Sequence, residues 1–210
     1  MHHFSDSLAT AVTARRSVVC VGLDPTVEGM PPELVEKYRP RVADLGADAM
    51  TASPYLGDDS LAPLVAHCAD SKGVFVLTRT SNPGAALLQE REVDGRPLYL
   101  RVAELVERLG ADHIGEAGYS DVGAVAGATS PEALRLVREA LPHAFLLVPG
   151  FGAQGAGPDA LEGIAAGDAA GYVVNASRSI IFAWQRDGGD FRRAAAAAAE
   201  TMRSEFLYAQ

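Results

Sequence analysis

Six short apolar runs alternate with helix-like stretches, and polar or glycine-bearing residues gather at the C-terminal ends of those runs. That pattern predicts an α/β fold with a parallel sheet covered on both faces, of the TIM-type βα-barrel kind. Two loops point the same way. Val148-Pro149-Gly150-Phe151-Gly152-Ala153-Gln154-Gly155 ends one apolar run, and Asn175-Ala176-Ser177-Arg178-Ser179-Ile180 ends the next. Together they look like a phosphate grip made by the loops after the last two strands of a barrel.

The elements follow in order. Residues 5–15 carry Leu8, Ala11, Val12 and Arg15 at helical spacing. Residues 18–24 read as a buried strand ending at Asp24-Pro25, and residues 49–55 as a second strand. A helix follows, with Asp58 or Asp59 as N-cap and Leu61, Leu64, Val65 and Cys68 on its apolar face. Residues 74–78 form the third strand, which ends in Arg79-Thr80-Ser81-Asn82-Pro83-Gly84. Residues 98–109 are a helix with Gly110 as C-cap. Residues 122–129 make the fourth strand, and Ser130-Pro131 starts the next helix. Strands at Phe145 and Tyr172 are the fifth and sixth, and an alanine-rich helix begins near Phe191.

A barrel needs eight strands and typically about 250 residues. Only six βα units are recognisable in 210 residues, and two more of about 30 residues each would give about 270. The shortfall has an address near residues 39–44. A helix begins at Pro31-Pro32-Glu33, and after Arg39-Pro40-Arg41-Val42 the chain runs straight to Asp44-Leu45-Gly46-Ala47-Asp48, a helix-to-strand junction. One barrel-like domain over residues 1–210 is therefore expected, with a deletion there. A doubly wound sheet is the competing architecture, weakened by the missing G-x-G-x-x-G turn after the first strand.

Composition narrows the function. The chain is 48% hydrophobic and 21% charged, ordinary for a globular domain. A net charge of −9 and a pI near 5.0 argue against nucleic acid as a partner, which needs a basic face. No run of about 18 apolar residues suggests a membrane span, and the opening Met1-His2-His3-Phe4 has no signal-peptide pattern. A cytoplasmic protein is expected. Cys20 and Cys68 lack metal-type spacing and read as reduced core thiols, so no metal is expected.

Several pieces are specific when taken in order. They are Gly22-Leu23-Asp24-Pro25, Gly46-Ala47-Asp48-Ala49, Ser53-Pro54-Tyr55-Leu56-Gly57, the run from Leu77 to Gly84, Val125-Ala126-Gly127-Ala128-Thr129, Pro149 through Gly155, and Ser177-Arg178-Ser179-Ile180. In this arrangement the chain resembles the orotidine-5′-phosphate decarboxylase family, in its bacterial branch. The resemblance implies a barrel that converts orotidine 5′-phosphate (OMP) to UMP and CO₂ in pyrimidine biosynthesis, without a cofactor and as a homodimer. It also implies roles. Asp24 accepts hydrogen bonds from ribose hydroxyls, Ser81 meets the pyrimidine edge, and Gln154 and Arg178 hold the phosphate. The chemistry suits them: a carboxylate accepts from vicinal hydroxyls and a guanidinium fork matches phosphate oxygens. Each also has an ordinary structural role open to it: a turn starter for Asp24, a loop amide for Gln154, a surface ion pair for Arg178, a turn cap for Ser81.

The sequence departs from the family at its chemistry. The family uses a strand lysine and an Asp-x-Lys-x-x-Asp stretch, and no residue here can be assigned to either. The chain has two lysines, Lys37 and Lys72. Asp70-Ser71-Lys72 matches the first half of the motif, but Phe75 stands where the second aspartate belongs, and Lys72 before Gly73 reads as a helix C-terminus. Three readings follow: a decarboxylase with its catalytic segment missing, a non-catalytic pyrimidine-nucleotide or phosphate-binding remnant, or another phosphosugar barrel enzyme.

Overall fold

The computed structural model describes residues 3–21, 48–151, 157–165 and 171–207. Asp24, Lys37, Gln154, the Pro31 helix and the junction near residues 39–44 lie outside the described residues.

The six expected strands are present: β1 (Val19–Val21), β2 (Ala49–Ala52), β3 (Gly73–Arg79), β6 (Ser120–Ala126), β7 (Ala144–Pro149) and β8 (Tyr172–Ala176). They form one 6-stranded sheet in the order β1-β8-β7-β6-β3-β2, and every pairing is parallel. The last strand pairs with the first, as in a barrel. Each strand of this sheet pairs with its successor, except that β1 and β2 do not meet. The result is a curled half-barrel with its open edge between them. The open edge shows in burial: Val21 is 40% and Met50 49% exposed, whereas Val76 and Val122 in the central strands are fully buried.

Two strands were not expected. β4 (Glu92–Val93) and β5 (Arg96–Pro97) form a small antiparallel hairpin. Asp94 and Gly95 make its two-residue turn, both at positive φ (51° and 75°), the geometry that Asp-Gly favours. That dipeptide was the available signal.

Two capping assignments and one helix boundary need correction. The helix after β2 spans Asp58–Val65 with Gly57 as its N-cap, so neither Asp58 nor Asp59 caps it. Asp58 instead pairs with Arg108 at 3.2 Å. Cys68 falls in a separate turn of 3₁₀ helix, Ala66–Asp70. Gly110 is the last residue of the Leu98–Gly110 helix and Ala111 is its C-cap. Glycine is required at 110 by close approach: a Cβ there would lie 2.5 Å from Ser120 Oγ.

The interior of the curl is aromatic. Phe75, Val125, Phe145 and Tyr119 form one buried cluster with Ala9. The helix Phe4–Arg15 plugs its N-terminal end, and Phe4 stacks edge-on against Phe75 with centroids 6.2 Å apart. Buried Asp121 accepts from the Ser5 amide at 2.8 Å and pairs with His3 Nδ1 at 2.8 Å. The Asp6 carboxylate accepts from the amides of Ala117 and Glu116, at 2.7 and 3.1 Å. The Ser5 bond gives one free amide at the helix start a partner, and the Asp6 bonds anchor the same turn to the loop before β6. The larger cluster packs the outward side chains of the strands against the helices.

Cys20 and Cys68 are both free thiols. Burial, reinforced by the nearby Asp121 carboxylate, pushes the Cys68 thiol up to about 11. A raised folded-state value stabilises the fold fully below the ordinary thiol value of 9.0 and loses that contribution as pH climbs toward 11. At pH 8, roughly one Cys68 in a thousand is thiolate, so alkylation by iodoacetamide is expected to run about a hundredfold slower in the native chain than in denaturant. Peptide mass spectrometry checks this, and equal rates would contradict the burial.

Candidate functional site

The C-terminal ends of β3, β6, β7 and β8 are tied together directly. The Gly127 amide donates to the Arg79 carbonyl at 2.6 Å, and the Ala128 amide donates to the Pro149 carbonyl at 2.9 Å. Pro149 in turn faces Asn175 in register. The chain leaving β6 presses on the loop after β3. A Cβ on Gly127 would lie 2.7 Å from the Ser81 amide nitrogen and Cα, so only glycine fits there. Thr129 Oγ1 donates to the Ser81 carbonyl at 3.2 Å.

A register shift between Leu77 and Arg79 shapes that loop. Leu77 pairs with Val125 of the interior cluster, but Arg79 pairs with Ala126, which belongs to the helix-facing side. The irregularity thus carries Arg79 out of the curl. There its nearly buried guanidinium meets Glu90 Oε1 through Nε at 3.1 Å and Nη2 at 2.7 Å, and Nη1 donates to the Thr80 carbonyl. Gln89 Oε1 accepts from the Thr80 amide at 2.8 Å. No periodicity in the sequence marks Gln89 or Glu90 for this, since the contacts depend on how a four-residue helix, Ala86–Gln89, folds back on the strand end.

Arg178 opens a short helix, Arg178–Ile181, immediately after β8. Ile180 and Ile181 donate their amides to the Ser177 carbonyl, which fixes the turn. Arg178 is exposed and makes no ion pair or side-chain hydrogen bond among the described residues. No acidic group among the described residues engages its guanidinium.

Of the four residues expected to bind ligand, Ser81 and Arg178 are described, and both sit at the same end of the sheet. Strands β6 and β7 separate theirs, three spacings that amount to roughly 14 Å across a flat sheet and less across a curled one. That is a separation for the two ends of one elongated ligand. Lys72 lies at the opposite end, just before β3, with its ammonium 3.1 Å from Asp48 Oδ1. The seven-residue strand β3 puts it about 20 Å from Ser81.

A parallel βα half-barrel that gathers a polar loop and an exposed arginine at the C-terminal ends of its strands belongs to the TIM-barrel class, which reserves that face for ligands. The family is more particular. The model of the orotidine 5′-phosphate decarboxylase / HUMPS family matches residues 32–187, and the chain belongs to that family. An orotidine 5′-phosphate decarboxylase of Rhodopirellula baltica is 52% identical over 143 residues, covering 68% of this chain and 47% of the relative. One from Roseiflexus castenholzii is 46% identical over 161 residues, covering 76% and 56%. The chain thus spans about half the length of the curated relatives it matches. Among solved structures, a Leishmania donovani OMP decarboxylase superposes with a TM-score of 0.71 at 28% identity, covering 99% of this chain and 98% of that one. A Leishmania donovani UMP synthase gives 0.60 at 37% identity, covering 82% and 35%.

Proposed function

We propose that this chain carries the nucleotide-binding half of an orotidine-5′-phosphate decarboxylase site: it binds a pyrimidine nucleoside 5′-phosphate and does not itself complete decarboxylation. Arg178, exposed at the start of the helix after β8 and without an ion-pair partner among the described residues, carries this reading, with Ser81 fixed at the same face. In the proposal Arg178 and Gln154 take the phosphate, Asp24 the ribose hydroxyls and Ser81 the base. The other half of the proposal concerns the proton. Loss of CO₂ leaves an electron pair on a ring carbon, and an acid must deliver a proton there. Arg79, the guanidinium at the β3 end, is engaged by Glu90, and an arginine is a poor acid in any case. Lys72 is at the wrong end of the sheet.

The same reading treats residues 1–210 as one barrel-like domain whose deletion near residues 39–44 falls between β1 and β2. Support comes from the sheet order, in which those two consecutive strands are the edges. A homodimer in the cytoplasm completes the proposal. Tyr55, Leu56, Leu87 and Leu88, on the loops after neighbouring strands β2 and β3, are each more than half exposed, the kind of surface that association covers. Among the described residues no helix is long and apolar enough to cross a membrane.

Titration calorimetry with UMP tests the site. Arg178→Ala is expected to weaken UMP by about 1.5–3 kcal/mol, the net value of a hydrogen bond to a charged group, with its melting temperature unchanged. UMP binding that ignores the substitution, or no UMP binding by the parent chain, would overturn the assignment.

A further inference from the structure

The loop that carries Ser81 is held by a hydrogen-bond relay whose direction is fixed, and its origin is Gln89. Gln89 Nε2 donates to Thr80 Oγ1 at 2.8 Å. An amide nitrogen can only donate, so the Thr80 oxygen is the acceptor and its own proton is free to go elsewhere. Asn82 Oδ1, 2.6 Å away, is the nearer of its two acceptors, with Gln89 Oε1 at 3.3 Å. The other end of the Gln89 amide accepts from the Thr80 backbone N–H at 2.8 Å. The Thr80 carbonyl is taken by Arg79, which Glu90 holds in place. The Ser81 carbonyl is taken by Thr129. Residues 80 and 81 therefore have little freedom left, although the Ser81–Asn82 tip is accessible to solvent.

Two polar groups remain for a ligand. The Ser81 hydroxyl has no hydrogen-bond partner among the described residues. Asn82 has its carbonyl oxygen occupied, so the group it presents is the Nδ2 amide, a donor. A hydroxyl beside a fixed donor suits the alternating carbonyls and N–H of a pyrimidine ring.

Resting on the nucleotide reading above, we propose that Gln89 is a positioning residue for base recognition: through Thr80 it sets the orientation of the Ser81 peptide and the Asn82 amide. It touches no ligand itself. A positioning role predicts a change of selectivity and not a general loss of binding.

UMP and ribose 5-phosphate are the probes, titrated into the parent chain, Gln89→Ala and Thr80→Val. Thr80→Val keeps the backbone bond to Gln89 and removes both hydroxyl bonds of the relay, the one from Gln89 Nε2 and the one to Asn82 Oδ1, at nearly constant volume. Gln89→Ala is expected to weaken UMP about five- to tenfold, the worth of one neutral hydrogen bond, with ribose 5-phosphate held within about twofold. Thr80→Val is expected to shift the ratio in the same direction. Parent binding of UMP, with both ligands weakened alike in the two folded variants or with neither weakened, would overturn the positioning role and leave the nucleotide site standing. A parent chain that fails to bind UMP overturns both. If Gln89→Ala does not fold, Thr80→Val decides.

Discussion

The 210-residue chain is expected to bind UMP and to leave orotidine 5′-phosphate intact. Turnover in working enzymes runs at about 1–1000 per second, and this chain should fall below detection beside them. The reason is a mismatch of charge and place. Stabilising a carbanion without an electron-sink cofactor requires fixed charged groups in a water-excluded site and an acid within reach of the new lone pair. Of the chain's two lysines, Lys72 pairs with Asp48 at the N-terminal end of β3, about 20 Å from the loop that carries Ser81. Lys37 precedes the expected deletion and belongs to no motif of the reaction. Binding needs less, because each hydrogen bond to phosphate or base contributes by itself. The assay is loss of the substrate's ultraviolet absorbance by a chain whose mass has been confirmed, beside calorimetry with UMP. Turnover at ordinary enzyme rates from a chain of this length would refute the assignment. A preparation that proved longer would keep the family and restore the missing segment.

Gly127→Ala should damage stability and binding together. The added methyl would sit 2.7 Å from the Ser81 nitrogen and Cα and 2.8 Å from its Cβ, so backbone and not a flexible side-chain tip has to move. Overpacking of this kind costs about 1–3 kcal/mol. The strain falls on the strap between Gly127 and Arg79, and its relief displaces Ser81 from its place in the site. UMP affinity is expected to drop with the denaturation midpoint. Gly84→Ala is the control. Its nearest neighbour is Asn82 Nδ2 at 3.6 Å, an ordinary contact, and Gly84 sits within a helical turn, so alanine there should be neutral or stabilising by up to about 1 kcal/mol. An unchanged midpoint and unchanged UMP affinity in Gly127→Ala would show that the β3 and β6 ends are not in contact as described.

The parts of the fold that could be read from the sequence were those written in local pattern. The runs around Phe75, Val122, Phe145 and Tyr172 are continuous, apolar and bounded by breakers, and each became a strand within a few residues. Their polar C-terminal ends singled out one end of the sheet, and Ser81 and Arg178 do lie there. Local pattern failed where a neighbour distant in sequence decided the outcome. Gly110 looked like a helix cap because it follows an amphipathic stretch, yet Ser120 Oγ sets its identity. Asp58 looked like a cap because it precedes apolar residues, yet Arg108 takes its carboxylate. The Asp94-Gly95 hairpin is legible from its turn dipeptide.

By itself, the sequence determined the alternation of strand and helix, the family through the order of its motifs, and that these 210 residues hold no Asp-x-Lys-x-x-Asp stretch. These follow from residue identity and spacing along the chain. Only the tertiary structure decided that β8 would close onto β1 while β1 and β2 stay apart, and that Lys72 would face Asp48 instead of a ligand. Only it showed that Arg79 leaves the interior for Glu90 and that Asp121 receives the amino-terminal helix. Hydrogen bonds such as that between Asp121 and His3, 118 residues apart, leave no periodic trace in a sequence. They exist because packing the apolar faces brings the polar groups together, and a buried donor or acceptor must then find whichever partner that packing supplies.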